Sequence, residues 1–273
     1  MPSAARRGLI VAAIVLAVAV AVGGAFGARA LWNAVRTHLT ADGCTVGRYD
    51  VDTSQAAVAA TMVGVVTRRA LPERAAVLVL AAGLQESKLR NLAPGDGDRD
   101  SVGVLQQRPS QGWGSETQLT DVRYAAGAFL DALIKVPGWQ TLELAVAVQD
   151  VQISADGSAY AQHEAEAQAL SHALTGKQPA AITCSFQKPA VVATVATVAT
   201  QVSRDLPVET PNTDESSVRV PGGSWQTAAW FVANADRLGI DKVAYAGKQW
   251  TRSHGWVSAT ASAAAVVATM YRH

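Results

Sequence analysis

From Gly8 to Gly27 the chain carries twenty residues without a charge. At helical rise such a run is just long enough to cross the hydrocarbon core of a bilayer. Arg6 and Arg7 stand immediately before it, which predicts an N-terminus inside and the remaining chain outside. Arg29 and Arg36 on the far flank weaken that asymmetry. Ala28-Arg29-Ala30 has the small-residue pattern of a cleavage site, so a removed signal peptide is the alternative. The run is long for a signal sequence, and a single-pass anchor in the cell membrane, held by residues 8–27, is the favoured reading. On the alternative the protein is secreted. Either way residues after 30 lie outside the cytoplasm.

Export makes an oxidising compartment the setting for two cysteines, Cys44 and Cys184. An even count there suggests a disulfide, with two free buried thiols as the alternative. A bridge would close a long loop, worth about 4 kcal/mol in the chain-entropy account. It would also bracket a domain at about 44–185. The length of 273 residues suits one medium domain plus a small one, and 49% hydrophobic residues allow a core. The net charge of +1 and the lack of a basic block give no reason to expect nucleic acid as a partner.

Within 44–185 the pattern is helical. Residues 53–69 read as a helix capped by Thr53 or Ser54, with Ala57, Val58, Thr61 and Val65 on one face. Leu71-Pro72-Glu73 opens a second, which runs through Val77, Leu80, Ala81 and Leu84 to about Ser87–Leu89. Asn91-Leu92-Ala93-Pro94-Gly95 then breaks the pattern. A third helix is expected at about 121–136, capped by Asp121 with Tyr124, Ala128, Leu130 and Leu133 inward. A fourth is expected at about 141–153 and a fifth at about 159–175. No strand pattern is strong before residue 185. Residues 187–222, a Val-Ala-Thr repeat followed by prolines, read as a linker. Residues 223–273 read as a small α+β module: a helix from Ser224 to Gly239, then a strand through Val243 and Tyr245 turning at Gly247.

The chemistry-bearing residues gather after the second helix. Glu86 sits where an apolar helix runs out. Partial burial raises a carboxyl pKa, and a carboxyl kept protonated can donate to a glycosidic oxygen. Taken alone it reads first as an ordinary helix-terminal glutamate pointing to water. Seventeen positions on, Gly103 allows close backbone approach, and Gln106 and Gln107 offer amides suited to N-acetyl groups and hydroxyls. Trp113 offers a flat face for a pyranose ring. Asp96, Asp98 and Asp100 lie between. They suit a solvated turn, a second catalytic carboxylate, or a cation held through oxygens.

These residues carry a resemblance. "QES-x-L-x-N" followed by "G-x-L-Q" is similar to the "ES…GLMQ" signature of the lytic transglycosylase and goose-type lysozyme superfamily. The longer run "ESKLRNLAPGDGDRDSVGVLQQRPSQGWGS" resembles a bacterial group of exported, lysozyme-like proteins that carry "GDRDSLGLFQQRPSQGWGT". The likeness covers about 44–185, including both cysteines, "DVRYAAGAFLDAL", "VPGW" and "VQ…AYAQHEAEAQAL". It implies a mostly α, lysozyme-like domain after an N-terminal transmembrane helix, with peptidoglycan glycan strands as partner. By position it implies Glu86 as catalytic acid, Ser87, Gly103 and Gln106 as cleft residues, and Tyr160 as a cleft tyrosine on a late helix. Transglycosylases work with one glutamate, the sugar's own C6 hydroxyl displacing the leaving group. Inverting lysozymes need a second carboxylate, for which the three aspartates are the candidates. The segment "VQDVQISADGSAYAQHE" departs from the superfamily's usual "AYNAG" run.

The C-terminal module resembles modules appended to such domains and, distantly, a fragment of zinc D-Ala-D-Ala peptidases. Such a site needs a His/Asp/His set, and only His254 and His273 occur there, with Asp236 and Asp241. No metal or cofactor is expected, and the module reads as structural or wall-binding. The whole is expected to be a lytic transglycosylase or muramidase, with a non-catalytic wall-binding scaffold as the alternative.

Overall fold

A computed structural model describes residues 42–154 and 157–272. Strands β1 (Gly43–Val46) and β2 (Tyr49–Val51) lead into helices α1 (Thr53–Arg68) and α2 (Glu73–Ser87). A loop region follows, with α3 (Glu116–Thr120), α4 (Val122–Leu133) and α5 (Leu144–Gln152). A 3-10 segment, Gly157–His163, continues into α6 (Glu164–Leu174), and β3 (Ile182–Ser185) returns beside β1. Then come α7 (Val195–Asp205), β4 (Asn212–Thr213), β5 (Ser217–Pro221), α8 (Trp225–Ala233) and α9 (Ala235–Leu238). The chain ends in β6 (Ile240–Tyr245), β7 (Lys248–Thr251), β8 (Gly255–Ser258) and β9 (Ala265–Met270).

The mostly α expectation is corrected by the strands. The described residues are 45% helix and 18% strand, with two antiparallel sheets of three and six strands. The first has the order β2-β1-β3, the second β4-β5-β9-β6-β7-β8. Short strands paired over long sequence distances leave little periodicity to read: β1 finds β3 some 140 residues later, with Cys44 opposite Cys184. Those two cysteines form a disulfide. The anchor expected over residues 8–27 lies outside the described residues. Among the described residues no helix is long and apolar enough to cross a membrane.

Helix α2 explains the site to come. Every residue from Ala75 to Leu84 is buried, so it is a core helix, apolar on all sides. It ends where Lys88 and Leu89 take left-handed conformations (φ 55° and 58°), returning their N–H groups to Leu84 and Gly83 and burying Leu89. Helix α1 is capped by Asp52 with Gln55, not by Thr53 or Ser54. Asp121 caps α4 as expected, accepting from the Arg123 N–H at 2.9 Å. Tyr124, expected inward, is exposed: its ring covers Gly114 and its hydroxyl donates to the Trp113 carbonyl.

The stretch expected as a linker carries α7 and two strands. Thr194 caps α7, Val198 and Val202 bury its apolar side, and Arg68 of α1 donates to the Ser203 and Leu206 carbonyls. The long C-terminal helix of the sequence reading breaks at Asn234, whose amide turns back to the Trp230 carbonyl, leaving α8 and α9. A single hydrophobic core runs from Cys44 to Met270.

Candidate active site

Glu86 is the penultimate residue of α2, half-buried at the end of a helix whose preceding turns are sealed in the core. Its carboxylate accepts from the Tyr160 hydroxyl at 2.5 Å. The Gln152 amide lies within hydrogen-bonding reach of the same carboxyl. Both partners are neutral. Burial therefore dominates and pushes the Glu86 pKa up, while the Tyr160 and Gln152 hydrogen bonds pull in the other direction. Tyr160 is fully buried, and burial together with the Glu86 hydrogen bond raises its phenol pKa, so it stays a donor.

Two hydrogen-bond bridges hold the facing loop. Ser87 is buried and donates to the carbonyls of Gly83 (3.2 Å) and Val104 (2.8 Å), tying the loop to α2. Gln152 at the end of α5 donates to the Leu105 carbonyl at 2.9 Å. Between them Gly103 (φ 77°) pairs with Leu92 and passes so close to Leu119 that a Cβ would stand 2.3 Å from its carbonyl oxygen. No other residue fits there. Gln106 also has a positive φ (46°), and its side chain folds back to donate to the Gly103 carbonyl at 2.9 Å.

The other expected residues fall elsewhere. Gln107 is 2% exposed and its amide donates to the Ala125 carbonyl of α4, so in this conformation it offers nothing to a sugar. Trp113 is half-buried against the core, and its carbonyl accepts from the Tyr124 hydroxyl. Asp100 is clasped by Arg108 (2.5 Å) and the Ser110 N–H (2.9 Å), and those hydrogen bonds, those from Ser110 foremost, hold its carboxyl well below the usual range. Asp98 is exposed beside Arg99, and Asp96 caps the Ala93 N–H. Among the described residues no hydrogen bond or ion pair brings any of the three to Glu86. Among the described residues no group of three His, Cys, Asp or Glu converges on one point.

The structure adds residues that sequence reasoning passed over. Gln152 completes the Glu86 surroundings. One residue before Glu86, Gln85 accepts from Gln162 (3.0 Å) and His163 Nε2 (2.9 Å), which fixes the His163 tautomer with its proton on Nε2. Burial lowers the His163 pKa and favours that neutral form. Gln85 and His163 stand inside motifs quoted above, but only the fold of the 3-10 segment over α2 brings them together. No protein-family model matches the chain, and no curated protein matches its sequence.

Proposed function

We propose that the chain cleaves the glycan strands of peptidoglycan, with Glu86 as general acid and the bulk of the protein acting outside the cytoplasm from a membrane anchor. One observation carries this reading: a carboxyl whose pKa is raised by burial, half-open to solvent, and oriented only by neutral donors. Such a group is still protonated when ordinary surface carboxylates are not, and it can hand its proton to a departing glycosidic oxygen. The resemblance of the run from Glu86 to Ser115 to exported lysozyme-like proteins supports the substrate class.

Between the two products, the surroundings of Glu86 favour the anhydro end. Hydrolysis with inversion needs a second carboxylate to activate water, and of the loop aspartates Asp100 is a poor base while Arg108 and Ser110 hold it. In the single-glutamate route Glu86 protonates the bridging oxygen, the bond from that oxygen to C1 breaks, and the C6 hydroxyl of the same sugar closes on C1. The hydroxyl proton returns to the Glu86 carboxylate. Tyr160 and Gln152 hold the carboxyl in place throughout.

The test is a digest of purified peptidoglycan by the full chain in detergent, beside Glu86→Gln, read by mass spectrometry. Anhydro-muropeptides that vanish in the variant are the expected result. Reducing ends would make it a hydrolase, and binding without products would make it a scaffold.

A further inference from the structure

A cavity of about 720 Å³ lies where α1, the start of α4, α7 and α9 meet. Neither Glu86 nor any residue that contacts it lines this space. Ala57, Val58 and Val122 form an apolar strip in its wall, and Thr53, Ser54 and Thr120 supply hydroxyls. The volume suits a small organic ligand.

Its charges do not balance. Asp205 accepts from Arg123, Asp121 from Arg204 at 3.2 Å, and Asp236 from Arg252 at 3.3 Å. Arg237 is left over. Its Nε and Nη1 donate to the amide oxygens of Asn234 (2.7 Å) and Gln201 (2.6 Å), and among the described residues it makes no ion pair. The residue is exposed; what burial its guanidinium has acts most against the cationic form, the Asp205 charge acts in its favour, and the Arg123 charge acts against it more weakly. The amide contacts fix the plane of the guanidinium and leave Nη2 unbonded. Arg204, also exposed, lines the same space and among the described residues keeps Nε and Nη1 unbonded beside the Nη2 that holds Asp121.

The surplus is one positive charge, so one negative charge completes the site. A planar carboxylate matches a guanidinium fork. A phosphate dianion would bring a second charge against Asp121 and Asp236. We propose that this cavity binds a short peptide with small apolar side chains and one free carboxylate, which pairs with Arg237 and Arg204. The alkyl groups lie on Ala57, Val58 and Val122, and the peptide amides meet the threonine and serine hydroxyls.

The probe is N-acetyl-dialanine, whose only charge is its carboxylate, against the same compound as its C-terminal amide. Calorimetric titration of the full chain in detergent is expected to show the acid binding about tenfold or more tighter than the amide. Arg237→Gln is expected to erase that preference, and Glu86→Gln to leave it unchanged, so this site and the glycosidase reading fail separately. Equal binding of acid and amide, no binding of either, or a preference that survives Arg237→Gln would overturn the proposal. So would inorganic phosphate binding more tightly than the acid. Should Arg237→Gln fail to fold, as judged by its melting curve, Arg204→Gln carries the test, with a several-fold weaker acid and an unchanged amide expected.

Discussion

Two carboxylates in this protein are withdrawn from water, and their partners are of opposite kinds. Glu86 meets a phenol and an amide, both neutral. Asp205, 2% exposed at the end of α7, meets the Arg123 guanidinium on one oxygen and the Trp230 indole and the Thr61 hydroxyl on the other. The Asp205 charge is matched where it lies, so it can serve as a fastening between α1, α4, α7 and α8. The Glu86 charge is unmatched, so its proton is held more tightly than water would hold it and is available for transfer. Burial alone does not make a carboxyl chemically useful. Burial without a cation is what the role proposed for Glu86 draws on.

The comparison breaks most visibly at Glu86 itself. Glu86→Gln is expected to lower glycan cleavage about 100- to 10,000-fold, the usual contribution of a general acid. Its stability should move the other way. With the folded-state pKa raised above the unfolded one, ionising Glu86 opposes folding; that penalty is absent well below the ordinary carboxyl range and grows as pH rises through it. The variant should therefore melt above the parent at neutral pH and lose the advantage in acid. A variant that melts lower at every pH would place Glu86 with Asp205 among the fastenings.

Asp205→Ala should show the reverse pattern: a loss of about 3–5 kcal/mol in denaturant unfolding, because Arg123 is left without its buried partner, with cleavage per folded molecule retained. Replacing both cysteines by serine should cost about 2–5 kcal/mol in the same assay. Tyr160→Phe sharpens the contrast at smaller scale. Removing the hydroxyl should cost about 1.5–3 kcal/mol of stability. Because that hydrogen bond favours the Glu86 carboxylate, its loss should also move the alkaline limb of the pH–rate profile to higher pH. A limb that stays put would make Tyr160 a packing residue only.

How much of this was legible depends on distance along the chain. The α2 helix, its breaker after Asn91 and the Asp121 cap are local signals, and the structure places all three where the residues suggested. Glu86 was legible as an acid at the end of an apolar helix, because the ten buried residues before it are contiguous. Its surroundings were not. Gln152 sits in an unremarkable helix end, and only the packing of α5 beside the 103–105 loop turns it toward Glu86. The strands failed for the same reason: β5 and β9 pair across almost fifty residues, and although Val218 and Val220 alternate with exposed Arg219 in β5, a stretch that short among prolines and acidic residues reads as a linker until its partner is known. The valine and threonine repeat of α7 hid a helix because β-branched residues are weak helix formers, and the apolar stripe of Val198 and Val202 acquires meaning only against α1.

The disulfide has a consequence for the birth of the molecule. Strand β1 is among the first parts of the described chain to be made, yet its partner Cys184 comes 140 residues later. Until then Cys44 is an open thiol on a strand with one edge unclaimed. With only two cysteines in the chain, oxidation has no wrong answer within one molecule. Its one hazard is a neighbour: two nascent copies, each waiting for its own second half, can settle for each other.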